Sequence, residues 1–250
     1  MAQTVLITGA SSGLGAEMAR QLAGRGHDLA LCARRVDRLD ALREEIRTGY
    51  PDARVEVRAL DVDDHDAVFE VFRGFATDFG RIDRVVVNAG IGKGAPLGTG
   101  RFDANRQTAM TNFVAALAQT EAALEIFRAQ GSGHLVMVSS MSAMRGMPKA
   151  GTTYAATKAG VAHLAEGVRA ELLGSPIHVS VLYPGYIRSE MNDHARKAPP
   201  FMVGTERGVA AMVEAIEKQK PSARVPPWPW VPLGFALKHL PLPLARRFMG

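Results

Sequence analysis

The sequence predicts an α/β protein built on one doubly wound parallel sheet. Short apolar strands alternate with amphipathic helical patterns along the first 217 residues, which is typical of a parallel sheet covered on both faces. Neither an internal repeat nor a linker interrupts this alternation. We therefore expect one domain over residues 1–220 and a C-terminal extension over residues 221–250.

The strand and helix patterns follow each other in a regular order. Six strands are predicted, at Thr4–Thr8, Asp28–Ala33, Arg54–Ala59, Arg84–Asn88, His134–Ser139 and His178–Tyr183. The helices predicted between them are Leu14–Arg25, Val36–Arg47, Asp64–Phe79, a stretch that ends near Gln130 after the glycine-rich loop 90–100, and Tyr154–Leu173.

Composition and charge exclude several classes of protein. With 47% apolar and 22% charged residues, the 250-residue chain is ordinary for a globular protein. Its net charge of +5 lies in the tail, because the segment Lys218–Gly250 carries +6 without Asp or Glu and leaves −1 for residues 1–217. No basic stripe with interleaved aromatic residues occurs before this tail, so nucleic-acid binding is not predicted. No metal site is predicted either.

Cysteine usage and hydropathy indicate a cytoplasmic protein. A lone cysteine, Cys32, cannot form an internal disulfide, which favours a reducing compartment. The chain starts directly with a strand pattern, so we expect no signal peptide. No apolar run approaches the ~18 residues that a membrane span requires.

The first strand leads into the glycine-rich turn Thr8-Gly9-Ala-Ser-Ser-Gly13-Leu-Gly15. Gly9 permits a tight turn, Gly13 permits a phosphate to approach the backbone, and Gly15 permits close packing of helix on strand. The amides of the first helical turn then face the anion. A glycine-rich turn can also lack a ligand, but its position between strand and helix favours a Rossmann-type dinucleotide site. The other expected contacts in this turn are Ser11, Ser12 and Leu14.

The end of the second strand predicts which dinucleotide binds. Ala33 stands where an acidic residue would bind a ribose 2′-hydroxyl, and Arg34 and Arg35 follow it. Guanidinium groups suit a 2′-phosphate, so we expect NADP(H) in preference to NAD(H). The alternative is that both arginines only begin an exposed helix.

Polar residues also follow the third and fourth strands, at Asp61-Val62 and Asn88-Ala89-Gly90. Taken singly, each would be an ordinary turn. Because ligands of open α/β sheets bind at the carboxyl ends of strands, their shared position indicates a cofactor site.

Tyr154 and Lys158 are four residues apart, which places a phenol and an ammonium on one helical face. Such pairs are usually structural. Here the fifth strand ends in Ser139-Ser140 just upstream, so a hydroxyl, a phenol and an ammonium reach the same sheet edge. A nearby cation would stabilise the phenolate that acid–base chemistry at neutral pH requires.

Taken together, these motifs span nearly 200 positions and resemble the compact form of the short-chain dehydrogenase/reductase family. The resemblance implies that Tyr154 is the general acid/base and that Lys158 binds the nicotinamide ribose and lowers the tyrosine pKa. It also implies that Ser140 orients the substrate carbonyl and Asn112 holds a proton-relay water. Thirteen residues separate Ser140 from Tyr154, where twelve are common, so Ser142 is a rival.

The resemblance extends to cofactor contacts and assembly. It implies that Asp61 and Val62 contact adenine and that Asn88, Ala89 and Gly90 support the cofactor. The segment Tyr183–Ser189 would border the nicotinamide, and its expected contacts are Pro184, Gly185, Ile187 and Ser189. It further implies a homodimer or homotetramer formed through the helices of Asn112 and Tyr154.

The tail beyond residue 220 is rich in proline and contains both tryptophans, Trp228 and Trp230. One interpretation is a lid over the substrate pocket or a subunit contact. The other is a peripheral anchor on the inner face of a membrane, with tryptophans at headgroup depth and basic residues near anionic lipid. Both interpretations imply a rather apolar substrate.

The sequence thus predicts an NADP(H)-dependent oxidoreductase that interconverts a secondary alcohol and a ketone on a fairly apolar small molecule. Two alternatives remain, namely a 3-oxoacyl thioester reductase and a non-catalytic NADP-binding scaffold or sensor. The loop over residues 190–204 is expected to shape substrate specificity.

Overall fold

A computed structural model describes residues 2–192 and 201–246 of the chain. Seven parallel strands form one sheet in the order β3-β2-β1-β4-β5-β6-β7. Their bounds are β1 Thr4–Thr8, β2 Asp28–Ala33, β3 Val55–Ala59, β4 Arg84–Val87, β5 Gly133–Val138, β6 Ile177–Pro184 and β7 Ser222–Val225. The predicted α/β class with a doubly wound parallel sheet is confirmed.

The helices cover both faces of this sheet. Their bounds are α1 Gly13–Ala23, α2 Val36–Gly49, α3 His65–Phe79, α4 Phe102–Ala109, α5 Ala115–Gln130, α6 Gly151–Glu171, α7 Thr205–Glu217, α8 Pro227–His239 and α9 Leu242–Ala245. A π-helical turn, Met110–Val114, joins α4 to α5, and a 3₁₀ turn, Met141–Met144, follows β5.

Alternating strand residues divide the core into two apolar layers. On β1, Val5 and Ile7 pack with α1, α2 and α7, whereas Leu6 packs with α3, α5 and α6. Because the sheet runs outward from β1 in one direction and from β4 in the other, a crevice opens at the carboxyl ends of these two strands. That crevice contains the candidate site.

The C-terminal part differs from the sequence-based expectation. Strand β7 pairs with β6 and belongs to the same sheet, although residues 221–250 were expected to form an extension outside it. The strand has only four residues before a proline-rich stretch, so the sequence pattern is too short to predict a strand there. The predicted positions 193–200 of the specificity loop, and Arg247 in the tail, lie outside the described residues.

Within residues 2–192 and 201–246, no helix combines the length and the hydropathy needed to cross a bilayer.

Candidate active site

A cavity of about 700 Å³ occupies the crevice at the carboxyl edge of the sheet. Nearly all of the predicted site residues line it. They are Gly9, Ser11, Ser12, Gly13, Leu14, Arg34, Arg35, Asp61, Val62, Asn88, Ala89, Gly90, Ser140, Tyr154, Lys158, Pro184, Gly185, Ile187 and Ser189. Gly15 and Asn112 are not part of this lining, but each lies next to a lining residue, Gly9 and Ile91 respectively.

The turn between β1 and α1 has the backbone that its glycines predict. Gly9 and Gly13 have φ angles of +65° and +54°, in the left-handed region. A Cβ on Gly15 would lie 2.4 Å from the Gly9 carbonyl oxygen, so only glycine fits there. The turn therefore leaves a bare backbone cradle at the N-terminus of α1, which fits the pyrophosphate of a dinucleotide.

The loop after β4 is attached to this turn by hydrogen bonds. The backbone amides of Asn88 and Ala89 both donate to the Thr8 hydroxyl, at 3.0 and 3.1 Å. The Asn88 side-chain amide donates to the Thr8 carbonyl at 2.9 Å. These bonds hold the turn after β1 against the loop after β4, at the carboxyl ends of these two paired strands.

The predicted phosphate-binding arginines belong to a larger group of hydrogen-bond donors. Arg35 donates through Nη2 to Ser12 Oγ at 2.6 Å and through Nε to Ser11 Oγ at 3.3 Å. Arg35 and Arg38 also both bond the carboxylate of Glu190, which reaches them from the loop after β6. Chiefly through Arg38, these contacts lower the pKa of Glu190 to about 2. The group can therefore hold an anion.

Sequence reasoning missed Arg38 and Glu190 as site residues. Arg38 stands one helical turn after Arg34 and Arg35, so helical spacing alone could have included it. Glu190 is 152 residues further along the chain from Arg38, and no local pattern indicates their contact. Arg34 itself lies more exposed, with Nη1 3.8 Å from the Asp61 carboxylate.

Tyr154 is half-buried on α6, and its hydroxyl meets the Ser140 hydroxyl. Burial raises the Tyr154 pKa above its ordinary value, the Ser140 hydrogen bond lowers it in part, and Tyr186 raises it further. Ser140 Oγ also accepts a bond from the Ser142 amide at 3.2 Å. Both rival serines line the cavity. Ser140 is the one whose hydrogen bond lowers the tyrosine pKa, whereas the buried Ser142 hydroxyl has no partner among the described residues.

Lys158 lies one turn further along α6 and is only 5% exposed. Its ammonium donates to the Val138 carbonyl at 2.9 Å and lies 5.9 Å from the centre of the Tyr154 ring. Burial lowers the Lys158 pKa to about 8. No carboxylate among the described residues forms an ion pair that would offset this effect. Burial thus destabilises the charged form of Lys158 relative to that of a solvent-exposed lysine.

Asn112 lies in the π-helical turn and is buried. Its side-chain amide donates to the Ile91 carbonyl at 2.9 Å, and its Oδ1 accepts from the Ile91 amide at 2.8 Å. A Cβ on Gly90 would lie 3.2 Å from this Oδ1 and 3.5 Å from Lys158 Nζ. Asn112 therefore fixes the loop that passes beside Lys158. Single π-turns of this kind are frequent at functional sites.

The first part of the tail forms one wall of the cavity. Trp230 and Leu237, on α8, both line it. The Trp230 ring packs on the backbone of Gly185, where a Cβ would lie 1.9 Å from the indole, and meets the Tyr186 ring edge-on at 5.5 Å. The tail thus covers the nicotinamide end expected from Pro184 to Ser189.

Fold and cavity together define a dinucleotide-binding oxidoreductase, and comparison with known proteins gives its family. The family model for short chain dehydrogenases matches residues 3–200. An uncharacterized oxidoreductase of Mycobacterium tuberculosis is 53% identical over 98% of this chain and 97% of its own length. The chain therefore belongs to the short-chain dehydrogenase/reductase family, whose members use a nicotinamide coenzyme.

Two further relatives carry names that describe an activity. The 11-beta-hydroxysteroid dehydrogenase 1A of Arabidopsis thaliana is 39% identical over 76% of this chain and 53% of its own length. The crystal structure of levodione reductase superposes with a TM-score of 0.80 at 29% identity, over 89% of this chain and 94% of that chain.

Proposed function

We propose that the protein is an NADP(H)-dependent oxidoreductase that interconverts a secondary alcohol and a ketone on a fairly apolar small molecule. One observation carries this proposal. A single cavity joins the arginine cluster around Arg35, the glycine turn of β1 and the pair Tyr154–Lys158. A dinucleotide that spans these features would end beside the tyrosine.

The coenzyme would be held by residues from four strand ends. The glycine turn would bind the pyrophosphate, and Arg34 and Arg35 the 2′-phosphate, with Asp61 and Val62 near adenine and Asn88–Gly90 beside the ribose. Arg35 lines the cavity beside Ser11 and Ser12, and this position next to the glycine turn supports the assignment. A 2′-phosphate would displace the Glu190 carboxylate that Arg35 binds in this structure. When bound, the coenzyme supplies or accepts a hydride.

Tyr154 is the proposed proton donor to the carbonyl oxygen. Its raised pKa favours a neutral phenol at physiological pH, which suits the direction of carbonyl reduction. Ser140 touches the phenol and can donate a second hydrogen bond to the same oxygen as charge develops there. Lys158 would hold the nicotinamide ribose and stabilise the phenolate that remains.

Asn112 contributes by position in this proposal. Both ends of its side-chain amide are engaged by Ile91, so it keeps the loop after β4 beside Lys158. A proton relay through water at Asn112 remains a prediction from the family resemblance.

An apolar substrate suits the walls near Tyr154. Trp230, Leu237, Met141 and Met147 line this end of the cavity. The relatives named for a hydroxysteroid and for levodione support a cyclic ketone or alcohol as the first class to screen.

Coenzyme titration tests the proposal first. NADPH and NADH are added separately to the purified protein while tryptophan fluorescence is recorded. Trp230 lines the cavity and Trp228 is exposed, so a signal that persists in Trp228→Phe comes from the site. We expect NADPH to bind at least about tenfold more tightly than NADH. Apolar cyclic ketones are then screened for NADPH oxidation.

The outcomes separate the proposal from its alternatives. Equal affinity for both coenzymes would contradict the role of Arg34 and Arg35. Tight NADPH binding without turnover of any ketone would favour a non-catalytic sensor, and turnover of 3-oxoacyl thioesters alone would favour that reductase class.

We also propose a homodimer or homotetramer that forms through the helical segments of Asn112 and Tyr154. Analytical ultracentrifugation measures this directly, and a monomer at micromolar concentration would contradict it.

A further inference from the structure

The outer surface of α8 and α9 has an unusual composition. Every exposed residue described between positions 227 and 246 is either apolar or basic, counting histidine as basic. These residues are Pro227, Trp228, Val231, Pro232, Phe235, Lys238, His239, Pro241, Leu242, Pro243, Leu244 and Arg246. We refer to them as the tail surface. An ordinary solvated surface mixes acidic with basic groups and has few large apolar side chains, so the tail surface is typical of a contact site.

Helix α8 is apolar on two opposite faces. Trp230, Gly234 and Leu237 face the cavity and its wall, whereas Val231 and Phe235 point outward at the same helical spacing. Trp228, whose backbone is non-helical at a kink near the start of α8, is 77% exposed, whereas Trp230 is 6% exposed. A helix that is apolar all round is normally buried on all sides, and among the described residues the outward face has no partner.

Contacts on the inner side hold this helix in place. Trp230 packs on Gly185, and the Arg145 guanidinium donates to the Lys238 carbonyl at the other end, at 3.2 Å. Phe235 is therefore held on a supported helix and Trp228 lies at the kink just before it, and no neighbouring element of the described chain covers either side chain.

Charge indicates which partner fits the tail surface. Lys238 and Arg246 form no ion pair with any carboxylate of the described residues, and the sequence has no Asp or Glu after Glu217. A second copy in a two-fold contact would bring these like charges together, which disfavours self-association. Exposed aromatic groups next to unpaired cations match an anionic lipid surface.

We infer that the tail surface docks on an anionic lipid bilayer. Trp228 and Phe235 enter the headgroup region, and Lys238 and Arg246 lie against the anionic headgroups. This inference does not depend on the reaction that the cavity supports, because it concerns the opposite face of α8.

Vesicle cosedimentation tests the inference with the full chain. Sucrose-loaded vesicles of equal parts phosphatidylglycerol and phosphatidylcholine are compared with vesicles of phosphatidylcholine alone. We expect partition to the anionic vesicles at least about tenfold above partition to the neutral ones, weakened by added salt. The double variants Trp228→Ser/Phe235→Ser and Lys238→Glu/Arg246→Glu are each expected to lose about tenfold or more.

Matched controls use equally exposed residues elsewhere. Leu173→Ser removes an exposed leucine next to the end of α6, and Lys220→Glu reverses a tail charge at the amino-terminal edge of the sheet. Both controls are expected to bind anionic vesicles like the wild type. Equal loss in the controls would overturn the inference, as would equal partition of the wild type to both kinds of vesicle.

Fluorescence supplies a second readout that needs no change on the tail surface. The chain has two tryptophans, so Trp230→Phe leaves Trp228 as the sole indole. Its emission is expected to shift to shorter wavelength with anionic vesicles and to remain unchanged with neutral ones. An unshifted emission would overturn the inference. So would concentration-dependent self-association that the Trp228→Ser/Phe235→Ser variant abolishes, because the partner would then be a second copy.

Discussion

Two buried polar clusters lie at opposite edges of the same sheet, and both are built around a cation. At the amino-terminal edge, Arg84 is 2% exposed and donates to Glu217 at 2.6 Å and to His134 Nδ1 at 3.1 Å. At the carboxyl edge, Lys158 is 5% exposed and donates only to the Val138 carbonyl among its described neighbours. The two cations are similarly buried, but among the described residues only Arg84 has a carboxylate partner.

The partners of Arg84 complete a closed network. Because His134 Nδ1 accepts from Arg84, its Nε2 carries the proton and donates to the Ser180 hydroxyl at 2.8 Å. Burial, with the charges of Arg84 and His178, lowers the His134 pKa to about 3, so this imidazole is neutral at physiological pH. These hydrogen bonds and the ion pair occupy the polar groups of the network, and we interpret the network as structural.

The Lys158 cluster is open by comparison. Lys158, Tyr154 and Ser140 all line the cavity. Burial lowers the Lys158 pKa and raises the Tyr154 pKa, and no carboxylate among the described residues pairs with the ammonium. Burial of a charge therefore does not by itself indicate function. A buried charge without a counter-charge, beside a cavity, marks a candidate functional site.

The largest expected effect comes from Tyr154→Phe. Removing the hydroxyl removes the proposed proton donor, so we expect turnover to fall about 10³-fold. NADPH affinity and the melting temperature should stay close to wild type. Steady-state kinetics and coenzyme titration measure these quantities, and near wild-type turnover would remove Tyr154 from the mechanism.

Glu217→Gln tests the closed cluster. It leaves the buried Arg84 guanidinium without a counter-charge, so we expect the free energy of unfolding to fall by roughly 3–5 kcal/mol. The matched control is Glu214→Gln, one turn earlier on α7, whose exposed pairs with Arg25 and Lys218 are screened by solvent and should contribute little to stability. Urea denaturation compares the two, and equal losses would contradict the structural role of the Arg84 network.

Lys158 should make stability depend on alkaline pH. Its pKa of about 8 lies below the ordinary value of 10.5, so the unfolded chain binds more protons between these values. The contribution of Lys158 to stability should therefore rise with pH in this window, by about 2 kcal/mol up to pH 10. It is obtained as the difference between wild type and Lys158→Met, because the raised pKa of the buried Cys32 thiol changes stability in the opposite direction in both proteins. Lys158→Met should lack this rise. Denaturation without coenzyme at several pH values measures it, and identical pH slopes in both proteins would contradict the open cluster.

The smallest effect concerns Arg35. Arg35→Gln removes one charged donor from the proposed 2′-phosphate site, so NADPH should bind about tenfold more weakly while NADH binding hardly changes. Arg43→Gln is the control, because this arginine of α2 bonds Asp40 and Glu44 away from the cavity. An equal loss for both coenzymes would assign Arg35 to general support of the turn.

Local sequence patterns predict many of the residues of the candidate site. The glycine turn, the strand tips and the spacing of Tyr154 and Lys158 each involve residues within one turn or strand end, and all of them line or support one cavity. Such features can be predicted because backbone sterics and helical periodicity act over a few residues. The relative positions of Ser140 and Ser142 depend on the path of the 3₁₀ turn, which no local pattern predicted.

Sequence patterns alone predicted the alternation of strands and helices, the glycine-rich turn after β1 and the candidate residues at the carboxyl edge of the sheet. The tertiary structure decided how distant segments meet. It brings Glu190 to Arg35 and Arg38, pairs Arg84 with Glu217, and adds β7 to the sheet. It also buries Trp230 and exposes Trp228, two residues apart in the same tail. These contacts join residues far apart in the chain, so only the closed fold, and no local propensity, specifies them.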